Sequence, residues 1–207
     1  MALTEQQRQE AADRLLAAER SRAPIDPLTE LYPGIQVGDA YDVQLRVIKS
    51  KLAGGARVAG KKIGLTAKVM QQWLGIDTPD YGHLLNTMAV PDGGALPGGE
   101  LLQARVEVEL AFVLAKPLRG PGVNLAQVLD ATSYVTPAFE IIDSRVRDWK
   151  IKFEDTVADN GSSARFVLGS RRRAVSEVNL RLIGMALQKN GDDIATGAGA
   201  AVLGNPA

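Results

Sequence analysis

Apolar positions recur at helical spacing in the first third of the chain and at strand spacing in the remainder. Ala11, Ala12, Leu15, Leu16 and Ala18 follow a period near 3.6, and Thr4-Glu-Gln-Gln7 ahead of them fits a capping box. Pro24 and Pro27 close that helix and open a connector. A second helix is predicted from Asp39 to Ala53, with Ala40, Val43, Leu45, Val47, Ile48 and Leu52 as its apolar positions and Gly54-Gly55 as its stop. Arg57 to Leu65 reads as a short strand. Thr66 to Leu74 reads as a short helix capped by Thr66 and ended by Gly75.

Further along, Asp77 to Gly99 is rich in Gly, Pro and Asp and is expected to be loop with short strands. Val106 to Leu114 is a strand in which two glutamates interrupt an apolar run. Asn124 caps a helix over the following residues; Pro137–Asp143 and Arg165–Leu168 read as strands. Leu180 to Gln188 runs into Lys189-Asn-Gly-Asp192, a strong hairpin signal. Helices first and strands later predict an α+β fold, with an N-terminal helical region over 1–56 and a β-rich catalytic core over 57–207. Leu203-Gly-Asn-Pro-Ala207 looks like the first residues of a helix, with Asn205 as N-cap and Pro206 at its first position, so the expectation is a chain cut short.

Composition narrows the chemistry. A chain of 207 residues, 45% hydrophobic and 23% charged, suits one globular domain with a sizeable core. Lys+Arg and Asp+Glu number 24 each, so no net field steers nucleic acid or an anionic membrane towards it. The absence of cysteine excludes disulfides, thiolate metal sites and cysteine nucleophiles, and a single histidine argues against a His-rich zinc site. The N-terminus lacks a signal-peptide pattern and no apolar stretch is long enough to span a bilayer, so a cytoplasmic enzyme-sized domain is expected.

The candidate chemistry is centred on Glu107 and Glu109. A strand's period of two puts both carboxylates on one face, about 6.6–7 Å apart along it. Such a pair is common on a solvated sheet face. Here, however, the face continues as Ala111 and Val113, and a third glutamate, Glu140, lies in another apolar strand. Three carboxylates from two strands suit a hard divalent cation such as Mg²⁺ or Mn²⁺. Gly60-Lys-Lys-Ile-Gly64 places Lys61 and Lys62 on opposite faces of a strand; either is a surface lysine, or one of them faces a cavity, where its pKa falls and it can move protons. The spacing is not that of a phosphate-binding loop. Asp80 fits a turn cap, and Asp159-Asn-Gly-Ser-Ser163 fits a polar turn able to present amides and hydroxyls to an anion. His83 reads as a packed or surface histidine, and Arg171-Arg-Arg173 as a solvated turn.

Gly60-Lys-Lys-Ile-Gly-Leu-Thr66, Leu74-Gly-Ile-Asp-Thr-Pro-Asp-Tyr-Gly82, Arg105-Val-Glu-Val-Glu-Leu110, Asp143-Ser-Arg-Val-Arg-Asp-Trp-Lys150, Asp155-Thr-Val-Ala-Asp-Asn-Gly-Ser-Ser163 and Gly197-Ala-Gly-Ala-Ala-Val-Leu-Gly-Asn-Pro206 occur in this order. Together they resemble the hydratase/decarboxylase branch of the fumarylacetoacetate hydrolase superfamily, whose members act in aromatic meta-cleavage pathways. The resemblance covers nearly the whole chain. It implies a β-rich core of that type, continuing in family members past Ala207, and a Mg²⁺ or Mn²⁺ ion held by Glu107, Glu109 and Glu140. It casts Lys62 and Asp80 as acid/base groups, and Ser162 or Ser163 as a holder of the substrate carboxylate. Gly161 stands where family members usually carry alanine, a change expected only to loosen the loop.

The implied activity is hydration of 2-hydroxypenta-2,4-dienoate to 4-hydroxy-2-oxopentanoate, with 4-oxalocrotonate decarboxylase as the alternative. The Arg-Val-Arg-Asp-Trp-Lys stretch looks more like the hydratases. A C–C hydrolase fits less well, because it needs a His–Glu pair and His83 is the only histidine. A non-catalytic partner subunit is a further alternative. The expected partners are a small 2-hydroxydienoate substrate, further copies of the chain, and a decarboxylase or aldolase of the same pathway.

Overall fold

The computed structural model describes residues 2–207, apart from the side chains at 73 and 74. Helix α1 spans Glu5–Ser21 and begins with the expected capping box, in which Thr4 Oγ1 accepts from the Gln7 N–H and the Gln7 side chain accepts from the Thr4 N–H. After α2 (Leu28–Leu31), α3 runs over Val37–Ala53, two residues longer at its start than predicted. The Asp39 carboxylate explains the extension. It accepts from the Gln36 N–H at the entry and from the Leu3 N–H, and pairs with Arg8, so one side chain fastens both helix starts. Ala40, Val43, Val47 and Ile48 are buried as expected; Leu45 and Leu52 are 47% and 38% exposed and belong to the outer face.

Alanines at 11, 12 and 40 let α1 and α3 approach closely, and their shared core closes over Phe153, Val157 and Ala158 of α6 (Phe153–Ala158). Each fully buried Val, Leu or Phe there contributes about 1.5–3 kcal/mol. The helical layer is thereby fixed to the segment that leads into the Asp159–Ser163 turn. Asp155 strengthens the joint: it caps α6 and accepts from both the backbone and the hydroxyl of Thr29.

Strands β1 (Val58–Gly64) and β2 (Asp80–Leu85) form an antiparallel pair. Between them lies α4 (Lys68–Leu74). Its N-cap is Ala67 without a side-chain cap, not Thr66, while Gly75 ends it in the left-handed conformation as expected. Asp80 is likewise not a turn cap but the first residue of a six-residue strand, inside a stretch expected to be mostly loop. A four-stranded sheet has the order β3-β6-β5-β4, built from β3 (Ala89–Val90), β4 (Arg105–Leu114), β5 (Thr132–Ile142) and β6 (Ser163–Leu168). Strands β4, β5 and β6 are antiparallel, and β3 joins β6 in parallel. Helix α5 (Leu125–Ala131) enters β5 under the expected Asn124 cap.

Strands β7 (Gly184–Lys189) and β8 (Asp192–Ala198) form the hairpin announced by Asn190-Gly191, whose φ angles of 55° and 94° are those of a type I′ turn. At 205–207 there is no helix, although Asn205 Oδ1 accepts from the Ala207 N–H, the bond an N-cap makes to its second helical residue. Mixed helix and sheet, helices first, agrees with the α+β expectation. Among the described residues no helix is long and apolar enough to cross a membrane.

Candidate active site and metal centre

Strand register decides which polar side chains share a face. In the β1–β2 pair, Lys62 lies opposite Gly82 and Gly64 opposite Asp80. Paired residues and their i+2 neighbours point the same way, so Lys62 and Asp80 are diagonal partners on one face. Lys61, opposite His83, projects from the other face. The choice between the two lysines is thus made by register: Lys62 is the buried one, its side chain 9% exposed.

In the large sheet, Glu107 lies directly opposite Glu140, and Glu109 follows on the same face. One carboxylate oxygen from each lies within 4.8 Å of those of the other two. The triad is graded: Glu107 is exposed, Glu109 half-buried and Glu140 buried. Lys62 reaches the deep end, with Nζ 3.6 Å from Glu140 Oε2.

The turn between α6 and β6 supplies the third wall. Asn160, Gly161 and Ser162 all have left-handed backbones, with φ of 59°, 61° and 54°. For the two non-glycine residues this costs about 1–2 kcal/mol each, so the surroundings must hold them there. Two devices do so. The Asn160 carboxamide accepts from the His83 N–H at 2.7 Å and donates to the His83 carbonyl at 2.9 Å, copying a strand pairing onto β2. Buried Arg145 grips Asp159 through Nε and donates to the carbonyls of Asp143, Asp159 and Ser163. The turn then offers the Gly161 carbonyl to Lys62 Nζ at 3.1 Å.

Glycines make the close approach possible. A Cβ on Gly161 would stand 2.8 Å from Lys62 Nζ, one on Gly82 2.7 Å from the Asn160 carbonyl oxygen, and one on Gly64 against Asp80 Oδ1. At Gly161 the atom met is the movable end of the Lys62 side chain, and the φ of 61° there is one that glycine adopts freely.

Electrostatics follow from packing four carboxylates round one ammonium. Burial, then repulsion from Glu107 and Glu140, pushes Glu109 up to about 7. Burial also raises Glu140 and Asp80, with Lys62 pulling both back. For Lys62 itself burial disfavours the charge, but Glu140, Asp80, Glu107 and Glu109 outweigh it and raise its pKa. The expectation of a lowered lysine pKa is corrected: in this field Lys62 is an ammonium ion, a proton donor.

Glu140 Oε1 and Asp80 Oδ1 are buried without a hydrogen-bond partner, and the Ser163 hydroxyl, beside Glu140, forms none of normal geometry. Orphaned buried carboxylate oxygens call for a cation or a proton. A hard divalent ion fits the triad: oxygens on opposite sides of such an ion stand about 4–5 Å apart.

Glu107, Glu109, Glu140, Lys62, Asp80 and Ser163 meet here, whereas the Ser162 hydroxyl points to Asp159 Oδ2, 3.4 Å away. Glu107, Glu109 and Glu140 lie on one sheet face, Lys62 and Asp80 on the facing pair, and Ser162 and Ser163, both buried, at the turn. His83 is buried, consistent with a packed histidine. Its Nδ1 stands 3.1 Å from the oxygen of Gln44, whose amide nitrogen donates to the carbonyls of Tyr81 and Val157, so Nδ1 carries the proton. Arg145, Asn160 and Gln44 escaped sequence reasoning as site builders, since no local pattern marks a side chain whose partners lie far along the chain.

Comparison with known proteins places the chain among related enzymes. No family model matches it. It is 49% identical over 198 residues to the 2-hydroxypent-2,4-dienoate hydratase of Pseudomonas putida, spanning 95% of this chain and 89% of that protein. It is 46% identical to the 2-keto-4-pentenoate hydratase of Paraburkholderia xenovorans strain LB400, over 99% of this chain and 76% of the relative. It is 42% identical to the 4-oxalocrotonate decarboxylase of Pseudomonas sp. strain CF600, over 99% and 78%. The solved 4-oxalocrotonate decarboxylase of Pseudomonas putida G7, complexed with magnesium and adipate, superposes with a TM-score of 0.95 at 40% identity, covering 99% of this chain and 78% of that one.

Proposed function

Because this chain belongs to the family of 2-keto-4-pentenoate hydratases and 4-oxalocrotonate decarboxylases, we propose that it is a Mg²⁺- or Mn²⁺-dependent hydro-lyase of aromatic meta-cleavage, adding water to 2-hydroxypenta-2,4-dienoate to give 4-hydroxy-2-oxopentanoate. The observation that carries this reading is the meeting of Glu107, Glu109 and Glu140 on one sheet face with Lys62 and Asp80 on the β1–β2 pair. Glu107, Glu109 and Glu140 hold the ion. When bound, it supplies Lewis acidity to the substrate's 2-oxygen, where negative charge develops.

The protein's own groups do the rest. Ser162 and Ser163, on the strained turn, hold the substrate carboxylate. Lys62 delivers a proton to C5 while the 2-hydroxyl proton leaves, giving the conjugated ketone. Asp80, its pKa raised by burial, takes up that proton, passes it to Lys62 and manages the water, whose hydroxyl adds at C4 and whose proton goes to C3. We read residues 57–207 as a catalytic core of the fumarylacetoacetate hydrolase type, with 1–56 as its helical flank. Val106 and Phe139, 49% and 40% exposed on the sheet face away from the triad, support association with further copies or a pathway partner.

Decarboxylation of 4-oxalocrotonate is the second reading, favoured by the TM-score of 0.95 to a solved decarboxylase. Freshly generated 2-hydroxypenta-2,4-dienoate with Mg²⁺ should lose its dienol absorbance on adding the protein. In parallel, 2-oxohex-3-enedioate tests for CO₂ release. Activity on the second substrate alone overturns the hydratase assignment.

A further inference from the structure

The triad's exposed end carries a cation that the reaction outlined above does not use. Arg105 opens β4 two residues before Glu107, with no bulge between them, so it projects from the carboxylate face. It lies opposite Ile142, which lies opposite Ser163 just past a bulge in the β5–β6 register, so Arg105 and Ser163 end the same cross-strand row beside the triad. Its backbone is about 7 Å from that of Glu107 along the strand, within an arginine's reach of anything held at the ion. Both Arg105 and Glu107 are exposed, whereas Glu140 is buried, so this end is the mouth.

The guanidinium is ordered without being neutralised. Its Cζ lies 4.3 Å from the centre of the Trp149 ring, and the Trp149 indole donates to the Gln103 carbonyl at 3.0 Å. Trp149 is held in turn in a left-handed backbone, φ 56°. Among the described residues Arg105 makes no ion pair, unlike Arg145, Arg147 and Arg165 nearby. A cation stacked on an aromatic face keeps its in-plane N–H groups free for a planar anion. Charge balance calls for a further cation at this end. Four carboxylates face one ammonium, so a divalent ion still leaves the ionised site negative before an anionic substrate enters.

We propose that Arg105, laid flat on Trp149, is a carboxylate anchor at the mouth of the site, taking a carboxylate of the 2-oxo acid substrate through its guanidinium fork. The inference rests on reading the site as one for 2-oxo acids. In this arrangement Trp149 acts as a positioning residue.

The test is calorimetric titration of the Mg²⁺-loaded protein with two unreactive probes, 2-oxopentanoate and 2-oxohexanedioate. Arg105→Gln should weaken binding about 10- to 100-fold, the worth of a charge-assisted bidentate contact, and leave Mg²⁺ affinity measured without probe unchanged. Equal loss on both probes assigns the carboxylate beside the 2-oxo group; loss confined to 2-oxohexanedioate assigns the far one. Trp149→Leu should cost less, about 3- to 10-fold, since the charge remains. Wild-type binding with unchanged Arg105→Gln affinity overturns the inference alone, as does a matching fall in Mg²⁺ affinity. A wild-type protein that binds neither probe overturns the site reading and the inference with it.

Discussion

Replacing Lys62 with methionine removes the only ammonium among four carboxylates while keeping an apolar chain of similar length in its glycine-lined slot. The Lys62–Glu140 separation is 3.6 Å with both side chains under 10% exposed. At an effective dielectric of about 20 that pair is worth roughly 4–5 kcal/mol. Methionine also abolishes the lysine's own burial cost, so the net loss for metal-free protein should fall near the low end of broken buried pairs, about 3 kcal/mol. For a chain of this size that corresponds to a Tm lower by about 6–12 °C. The loss should grow with pH. Glu109 has its folded pKa raised from 4.5 to about 7, so the stability it contributes is complete below its unfolded pKa and is lost as pH rises through the folded value. Thermal unfolding in EDTA between pH 5 and 8 should therefore show the variant diverging from wild type on the alkaline side. Saturating Mg²⁺ should restore most of the difference, because the ion replaces the missing positive charge. In the same variant kcat should collapse while Mg²⁺ affinity holds or improves. Equal destabilisation with and without Mg²⁺, or parallel losses of kcat and Mg²⁺ affinity, would refute the role given to Lys62.

Other expected outcomes follow from the same geometry. Glu109→Gln or Glu140→Gln should weaken Mg²⁺ binding at least tenfold by calorimetry, by analogy with the 10–100-fold cost of losing outer-shell partners; unchanged affinity would place the ion elsewhere. Gly82→Ala sets a methyl 2.7 Å from the Asn160 carbonyl oxygen and should cost about 1–3 kcal/mol in denaturant unfolding while lowering kcat more than Mg²⁺ affinity. His83 has its pKa lowered by burial and by Lys61, so the stability it contributes is present above the ordinary histidine range and is lost as pH falls through its folded pKa. His83→Gln should flatten the acid limb of the stability–pH curve below about pH 6.5; an unaltered limb would assign acid lability to other groups.

Much of this protein is legible in its sequence because the signals are local. The Thr4 and Asn124 caps, the Asn190-Gly191 hairpin and the strand bearing Glu107 and Glu109 each depend on residues within a few positions of one another, and each appears as read. The same period of two put both glutamates on one face before any partner strand was known. The ordered motifs carried the family assignment for the same reason: they survive as short strings. Only tertiary structure decided the rest. Which of Lys61 and Lys62 is buried depends on register against β2. Whether Glu140 joins Glu107 depends on β4 pairing with β5. Whether the Ser162–Ser163 turn faces them depends on Asn160 reaching His83, 77 residues away in the chain. The lysine's charge was misjudged for that reason. Burial can be inferred from one strand's pattern, but the sign of a buried group's pKa shift is set by the charges that folding brings round it, here four carboxylates on three different strands.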